Sequence, residues 1–224
     1  MLKRIADNRD GRSLAVRFRR KRFAFFLAML SRLERPVHIL DIGGTGTYWR
    51  TMGLDDDQVF ITLLNLTPSN VTLPHVTSIV GDARNIPVGD NGFDIVFSNS
   101  VIEHVGTYHD QLQMAKEVCR VGKRYFVQTP NKYFPLEPHS LFPLFQFLPA
   151  RLRARLLQTF KLGWFPRTPD LRKAMEIVEG IRLLDKREVV SLFPNAAIYE
   201  ERVFGLTKSF VAYGGRGEYD SLLY

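Results

Sequence analysis

Short apolar runs alternate with helical patterns along most of the chain, and the last two runs are joined by a short turn containing glycine. With a Gly-rich turn placed directly after the first run, this predicts an α/β fold. Its core is a doubly wound, mostly parallel, seven-stranded sheet closed by a terminal antiparallel hairpin. Residues 37–213 are expected to form this body, preceded by a basic arm and helix at 1–36 and followed by a tail at 214–224. An aromatic and proline-rich lid is expected as an insertion at about 130–180.

The first strand is read in Val37-His-Ile-Leu-Asp-Ile42, an apolar run carrying one acid near its end. Runs at 58–65 and 76–80 fit short strands buried in a parallel sheet. A fourth strand is read at 93–97 and a fifth at 123–129, with an amphipathic helix at 108–121 between them. Leu112, Ala115, Val118 and Cys119 form that helix's apolar stripe, so Cys119 is expected to fill the core. Residues 130–149 hold five prolines and five Phe or Tyr, too much proline for a regular element and too much apolar surface to stay in water. Helices are expected at 151–160 and 170–180, the latter with a core stripe of Leu171, Ala174, Met175 and Val178. A helix at 186–193 and strands at 197–203 and 209–213, joined at Gly205, close the body; so short a turn requires antiparallel pairing.

With 224 residues, 45% of them hydrophobic, the chain can bury a sizeable core. One cysteine excludes a disulfide framework and a cysteine-based zinc cluster. No run is long enough to span a membrane and no signal peptide is evident, so a cytoplasmic location is expected. The net charge of +8 sits in the first forty residues, which carry eleven Lys or Arg against three acids; the remainder carries twenty of each sign. Residues 13–33 read as a basic amphipathic helix, with Arg17, Arg19, Arg20, Lys21 and Arg22 ahead of Phe23. It can pack on the body with its arginines solvated, or make peripheral membrane contact with arginines at anionic headgroups and phenylalanines inserted. Nucleic-acid binding is disfavoured, because the charge is segregated and no base-stacking motif is present.

The turn Asp41-Ile-Gly-Gly-Thr-Gly46, between a strand and a helix start, sets backbone N–H groups around one crevice. Asp41 can brace the turn or bind a ligand amine or hydroxyl, while Gly43, Gly44 and Gly46 permit close approach and positive φ. A purely structural turn is the alternative. A dinucleotide fingerprint needs a small residue three positions after Gly46; Trp49 stands there, which excludes a nicotinamide cofactor, and an S-adenosylmethionine pocket is the alternative that the rest of the chain must decide. Asn65, about twenty residues on, ends the second strand and can meet a ribose hydroxyl or simply cap the strand. Asp82, directly after the third strand, can accept from an adenine amino group or form a turn.

Three segments carry a resemblance: Ile39-Leu-Asp-Ile-Gly-Gly-Thr-Gly46, Gly81-Asp-Ala83 and Phe93-Asp-Ile-Val-Phe-Ser-Asn-Ser-Val-Ile-Glu-His-Val105. The chain resembles the class I S-adenosylmethionine-dependent methyltransferases, type 11 small-molecule group, with their Rossmann-like sheet, from about Val37 to Tyr213. The resemblance implies that Asp41, Gly43, Gly44 and Gly46 surround the methionine end of S-adenosyl-L-methionine. It implies Asn65 and Leu66 at the ribose and adenine, Asp82 and Ala83 at the adenine, and Asn99 or Ser100 at the sulfonium side. The family turn D-x-G-x-G-x-G is altered here, with Thr45 and Thr47 at two glycine positions, and Asn65 replaces the usual acid, which weakens the ribose contact by about 1 kcal/mol.

Methyl transfer to a hydroxyl needs a proton acceptor, and histidine suits the task. His38 and His75 border strands and His109 starts a helix, which leaves His104 and His139. Val101-Ile-Glu-His104 is similar to the Glu-x-x-Glu-His arrangement of magnesium-binding methyltransferases, but Ser100 replaces the first acid and no metal is expected. His139, in the lid with Glu137 two residues before it, is the favoured base, and Tyr133, Phe134 and Phe142 are expected to wall the acceptor. The expected reaction is O-methylation of a small molecule, glycan or glycolipid. RNA or protein methylation and a non-catalytic cofactor-binding regulatory domain are the alternatives.

Overall fold

The computed structural model describes residues 13–54 and 56–215; the first twelve residues of the arm and 216–224 of the expected tail lie outside them. Seven strands form one sheet in the order β3-β2-β1-β4-β5-β7-β6. They are β1 Val37–Ile42, β2 Val59–Asn65, β3 Val76–Val80, β4 Phe93–Asn99, β5 Gly122–Pro130, β6 Ala197–Val203 and β7 Leu206–Gly215. Neighbours among β1–β5 pair in parallel, while β7 runs antiparallel to both β5 and β6. The closing hairpin turns at Phe204 and Gly205, both at positive φ (49° and 80°), as a two-residue turn matched to strand twist requires. β7 pairs with β5 as far as Gly215, two residues into the stretch read as tail.

Side-chain alternation sorts the core into two layers. On one face Val37 and Ile39 of β1, Ile61 and Leu63 of β2, and Ile95 and Phe97 of β4 pack with the helix α1, Leu14–Leu30. The other face, with Leu40, Ile42, Leu64 and Val96, packs on α3, Tyr108–Val121, and α6, Lys186–Leu192. The short helix α2, Gly46–Met52, joins β1 to β2 and buries Trp49 on the first face. Asp41 shares odd parity with Val37 and Ile39, and its carboxyl therefore turns toward α1 and α2.

The helix α1 buries Phe23, Phe26, Met29 and Leu30 against the sheet. Those phenylalanines are committed to the core, so they offer no face for bilayer insertion. Among the described residues no helix is long and apolar enough to cross a membrane. Cys119 departs from expectation: α3 buries Gln111, Met114, Ala115, Val118 and Val121, and Cys119, one position off that stripe, is exposed.

The insertion is irregular from Asn131 until a 3₁₀ turn at Phe145–Phe147. Two helices follow, α4 Ala150–Thr159 and α5 Leu171–Glu179, and close a small core of Phe145, Ala154, Leu157, Ala174 and Val178. Leu171, expected in that stripe, is the first residue of α5 and is half exposed.

Candidate active site

The Gly turn is built around a buried acid. Asp41 is 1% exposed, and its Oδ2 accepts from Trp49 Nε1 at 2.7 Å. Burial pushes its pKa up to about 8, and among the described residues no cation pairs with it. Gly44 lies directly over that carboxyl: a Cβ placed there would sit 1.7 Å from Oδ2. Gly43 takes φ 71°, and a Cβ there would meet Val101 Cγ2 at 2.6 Å. Thr45, at one of the altered glycine positions, caps α2 by accepting from the Tyr48 N–H at 3.2 Å. Asn65 donates from Nδ2 to the Gly44 carbonyl at 3.1 Å and to Ser69 Oγ at 3.2 Å, so it holds the turn closed from the next strand.

The other expected site residues divide. Asp82 faces Arg84 across 2.6 Å, and that guanidinium holds its carboxyl below the usual range; Arg84 also reaches Asp110 at 2.8 Å. Ala83 fills the core and Leu66 is largely exposed at the end of β2. Gly46 starts α2, where a Cβ would only touch Val71 and Leu73 at 3.4 and 3.5 Å. Asn99 ends β4 and accepts from Arg22 Nη1. Ser100 adopts φ 58° and donates to Gln128 Oε1 at 2.7 Å.

Two chambers meet at the strand ends. The first, of about 480 Å³, is walled by Asp41, Gly43, Gly44, Tyr48 and Phe97. The second, of about 270 Å³, lies between α1, the ends of β5 and β7 and the insertion, with Ser100, Gln128, Phe134 and Trp164 in its wall. Arg19 and Asn99 line both. Thus Asp41, Gly43, Gly44 and Asn99 come together at one cavity, whereas Asn65, Leu66, Asp82 and Ala83 lie outside its lining.

Sequence reading missed the contribution of α1. Arg22 is 7% exposed and its Nε pairs with Glu201 Oε1 at 3.0 Å, while Ser209 Oγ donates to the other oxygen of Glu201. Arg19 stands with its guanidinium 5.7 Å above the Tyr48 ring. The expectation of solvated arginines therefore fails for these two. Their spacing held the signal: positions 19, 22 and 26 share one helix face, and Phe26 is wholly buried.

His104 and His139 do meet, with ring centroids 5.0 Å apart. His139 Nδ1 is 2.6 Å from Glu137 Oε1, which raises its pKa against the opposing effect of burial. His104 is held neutral down to about 4 by burial and by the neighbouring His139. Glu103, wholly buried, accepts from Thr129 at 3.2 Å with one oxygen, and burial pushes it up to about 7. Glu103, His104 and His139 each present one ligand atom within 4.8 Å of the others, a geometry able to share a proton or a small cation. Among the described residues neither histidine lines either chamber; Pro138 and Leu141 form the wall at that point.

These shifts give a stability prediction. Above pH 6.5 the folded chain keeps protons on Asp41 and Glu103 that the unfolded chain has released, so unfolding releases protons and stability falls as pH rises. The stabilising pair of His139 with Glu137 is complete below pH 6.5 and is lost as pH climbs through the raised histidine value. His104 acts oppositely, but only between about 4 and 6.5. One retained proton over 1.5 pH units amounts to about 2 kcal/mol, or roughly 4–8 °C. Thermal unfolding is expected to give a lower Tm at pH 8 than at pH 6.5, with a smaller gap in Glu103→Gln; equal values would contradict these assignments.

Residues 39–125 match a family model described as a methyltransferase domain. The matched stretch runs from β1 into β5 and holds the Gly turn and Asn99, so this part of the chain is similar to a methyltransferase domain. Uncharacterized proteins of two Mycobacterium tuberculosis strains, CDC 1551 / Oshkosh and ATCC 25618 / H37Rv, are 34% identical over 58 residues. That match spans 26% of this chain and only 20% of each relative. A Pyrococcus horikoshii OT3 protein superposes with a TM-score of 0.52 at 20% identity, over 91% of this chain and 92% of its own. The magnesium protoporphyrin IX methyltransferase of Synechocystis PCC 6803, solved with bound SAH, gives 0.51 at 9% identity over 87% and 80%. At such identities the superpositions show a shared fold alone.

Proposed function

We propose that the chain transfers the methyl group of S-adenosylmethionine to an oxygen of a small acceptor. The observation that carries this reading is the pair of chambers joined at Asn99 and Arg19, one on the Gly turn and one beneath the lid. The first chamber fits the cofactor's amino-acid end. Asp41 is a buried acid without a cationic partner among the described residues, which an ammonium would supply, and the bare Gly44 leaves the turn open to close approach. Arg19 is placed to take the carboxylate, and the Asn99–Ser100 corner to face the sulfonium. Asn65 and Leu66 are assigned to the ribose and adenine, and Asp82 and Ala83 to the adenine, as neighbours at the ends of β2 and β3.

When bound, the cofactor supplies a methyl carbon activated by positive sulfur. The chain's own work is then positional. The helix α1 and the insertion exclude water, and Asn99, held by Arg22, keeps the junction between chambers in one geometry. A chamber of about 270 Å³ suits a small molecule or a single sugar ring better than RNA or protein. Proton acceptance by His139 or His104 would have to act through the wall formed by Pro138 and Leu141.

The test is incubation of the intact protein with methyl-labelled S-adenosylmethionine and separate phenol, sugar and carboxylic-acid acceptors, followed by mass analysis. Acceptor-dependent release of S-adenosylhomocysteine with a methylated product is the expected result. Saturable cofactor binding without transfer to any acceptor would favour the non-catalytic reading.

A further inference from the structure

The second chamber has an unbalanced charge. Arg19, Arg22 and Lys208 line it, and none of its lining residues is acidic; Glu201, which pairs with Arg22, is not among them. Glu201 is already committed, one oxygen to Arg22 and the other to Ser209. Arg22 is likewise committed, to Glu201 and Asn99. Lys208 is different. It is half-buried at the start of β7, its ammonium stands 4.8 Å over the Phe18 ring, and no carboxylate pairs with it among the described residues. Burial lowers its pKa, and the two arginines add to that, against the opposing pull of Glu201. A half-buried ammonium facing a cavity without an acid is unfavourable unless an anion joins it. The facing wall, Phe134, Leu136, Leu141 and Trp164, is apolar and aromatic. Gln128 adds an amide at the same cavity, its Oε1 accepting from Ser100.

We propose that the second chamber takes an acceptor bearing a carboxylate or phosphate on an apolar body, with Lys208 as the residue that selects the anion. The inference rests on the reading of this chamber as the acceptor site. Arg19, shared with the first chamber, faces the cofactor's carboxylate when that chamber is filled, so Lys208 is the cation left for the acceptor. The aromatic wall takes the apolar body, and a neutral isostere of the same shape leaves Lys208 without a partner.

The probes are trans-cinnamate, phenyl phosphate and the uncharged cinnamamide, titrated by tryptophan fluorescence with saturating S-adenosylhomocysteine and again without it. At least one anion is expected to bind about tenfold or more tighter than cinnamamide, the usual advantage of a charge-assisted contact. Which anion binds separates carboxylate from phosphate acceptors. Lys208→Met is expected to bring the preference below about threefold, Lys208→Arg to retain it, and added salt to weaken it. Binding of cinnamamide as tightly as the anions, binding of none of the three, or an unchanged preference in Lys208→Met would overturn the proposal. Should Lys208→Met fail to fold, Lys208→Arg and the salt dependence still decide. Failure of S-adenosylhomocysteine to bind would instead strike the cofactor assignment, with the anion preference still measured in its absence.

Discussion

Gly44→Ala is expected to weaken cofactor binding on the order of 100-fold, while Gly46→Ala leaves it nearly unchanged. The two glycines are two residues apart in one turn, yet their surroundings differ completely. A methyl on residue 44 would lie 1.7 Å from Asp41 Oδ2 and 2.1 Å from its Cγ, so the buried carboxyl must leave its place beneath the turn. That movement breaks the 2.7 Å bond from Trp49 and shifts the floor of the first chamber. Overpacking plus a lost buried hydrogen bond costs about 2–4 kcal/mol of stability. A displacement of this size at a binding turn weakens function on the order of 100-fold. At residue 46 the added methyl only reaches van der Waals contact with Val71 and Leu73, and the helix start favours alanine, so stability stays within about 1 kcal/mol. Thermal unfolding and S-adenosylhomocysteine titration of both variants check the contrast. Equal effects would mean that the turn is not shaped around Asp41.

The second large effect belongs to Arg22. Its pairing with Glu201 ties α1 to β6 inside the protein, with both side chains less than 10% exposed. Arg22→Met leaves Glu201 as a buried carboxylate without its cation, which costs about 3–5 kcal/mol and lowers Tm on the order of 10 °C. Adding Glu201→Gln to that variant removes the stranded charge, and most of the lost stability is expected to return. Methyl transfer is not expected to return with it, because Asn99 still lacks the guanidinium that fixes it at the junction of the chambers. A double variant no more stable than Arg22→Met alone would contradict the ion-pair account.

Much of the fold is legible because period-two burial survives in the sequence. Val37, Ile39, Leu40 and Ile42 already separate by parity into the two faces they occupy. The Gly turn is equally local, and Trp49, which excluded a dinucleotide fingerprint, proves to be the donor that holds Asp41. What could not be read is contact between distant segments. Arg22 and Glu201 are 179 positions apart, so the helix-face spacing that marks Arg22 as inward-facing does not reveal its partner. Lys208 is hidden for the same reason: its meaning depends on Phe18 standing beneath it and on Glu201 being occupied. Cys119 illustrates the reverse error, since one position around a helix, about 100°, separates core from surface. Asp82 was legible as a post-strand acid, but its engagement with Arg84 was not.

The central claim is that the Gly turn and Asp41 form the floor of an S-adenosylmethionine site, and the most direct measurement is calorimetric titration of the intact protein with S-adenosylhomocysteine at pH 6.5 and pH 8. Binding with one site per chain is expected, tightening on the order of tenfold at the higher pH, because the ligand's ammonium requires the ionised form of an acid whose free value is about 8. Asp41→Ala should bind at neither pH. No heat of binding from the folded intact protein, or equal affinity in Asp41→Ala, would contradict the claim.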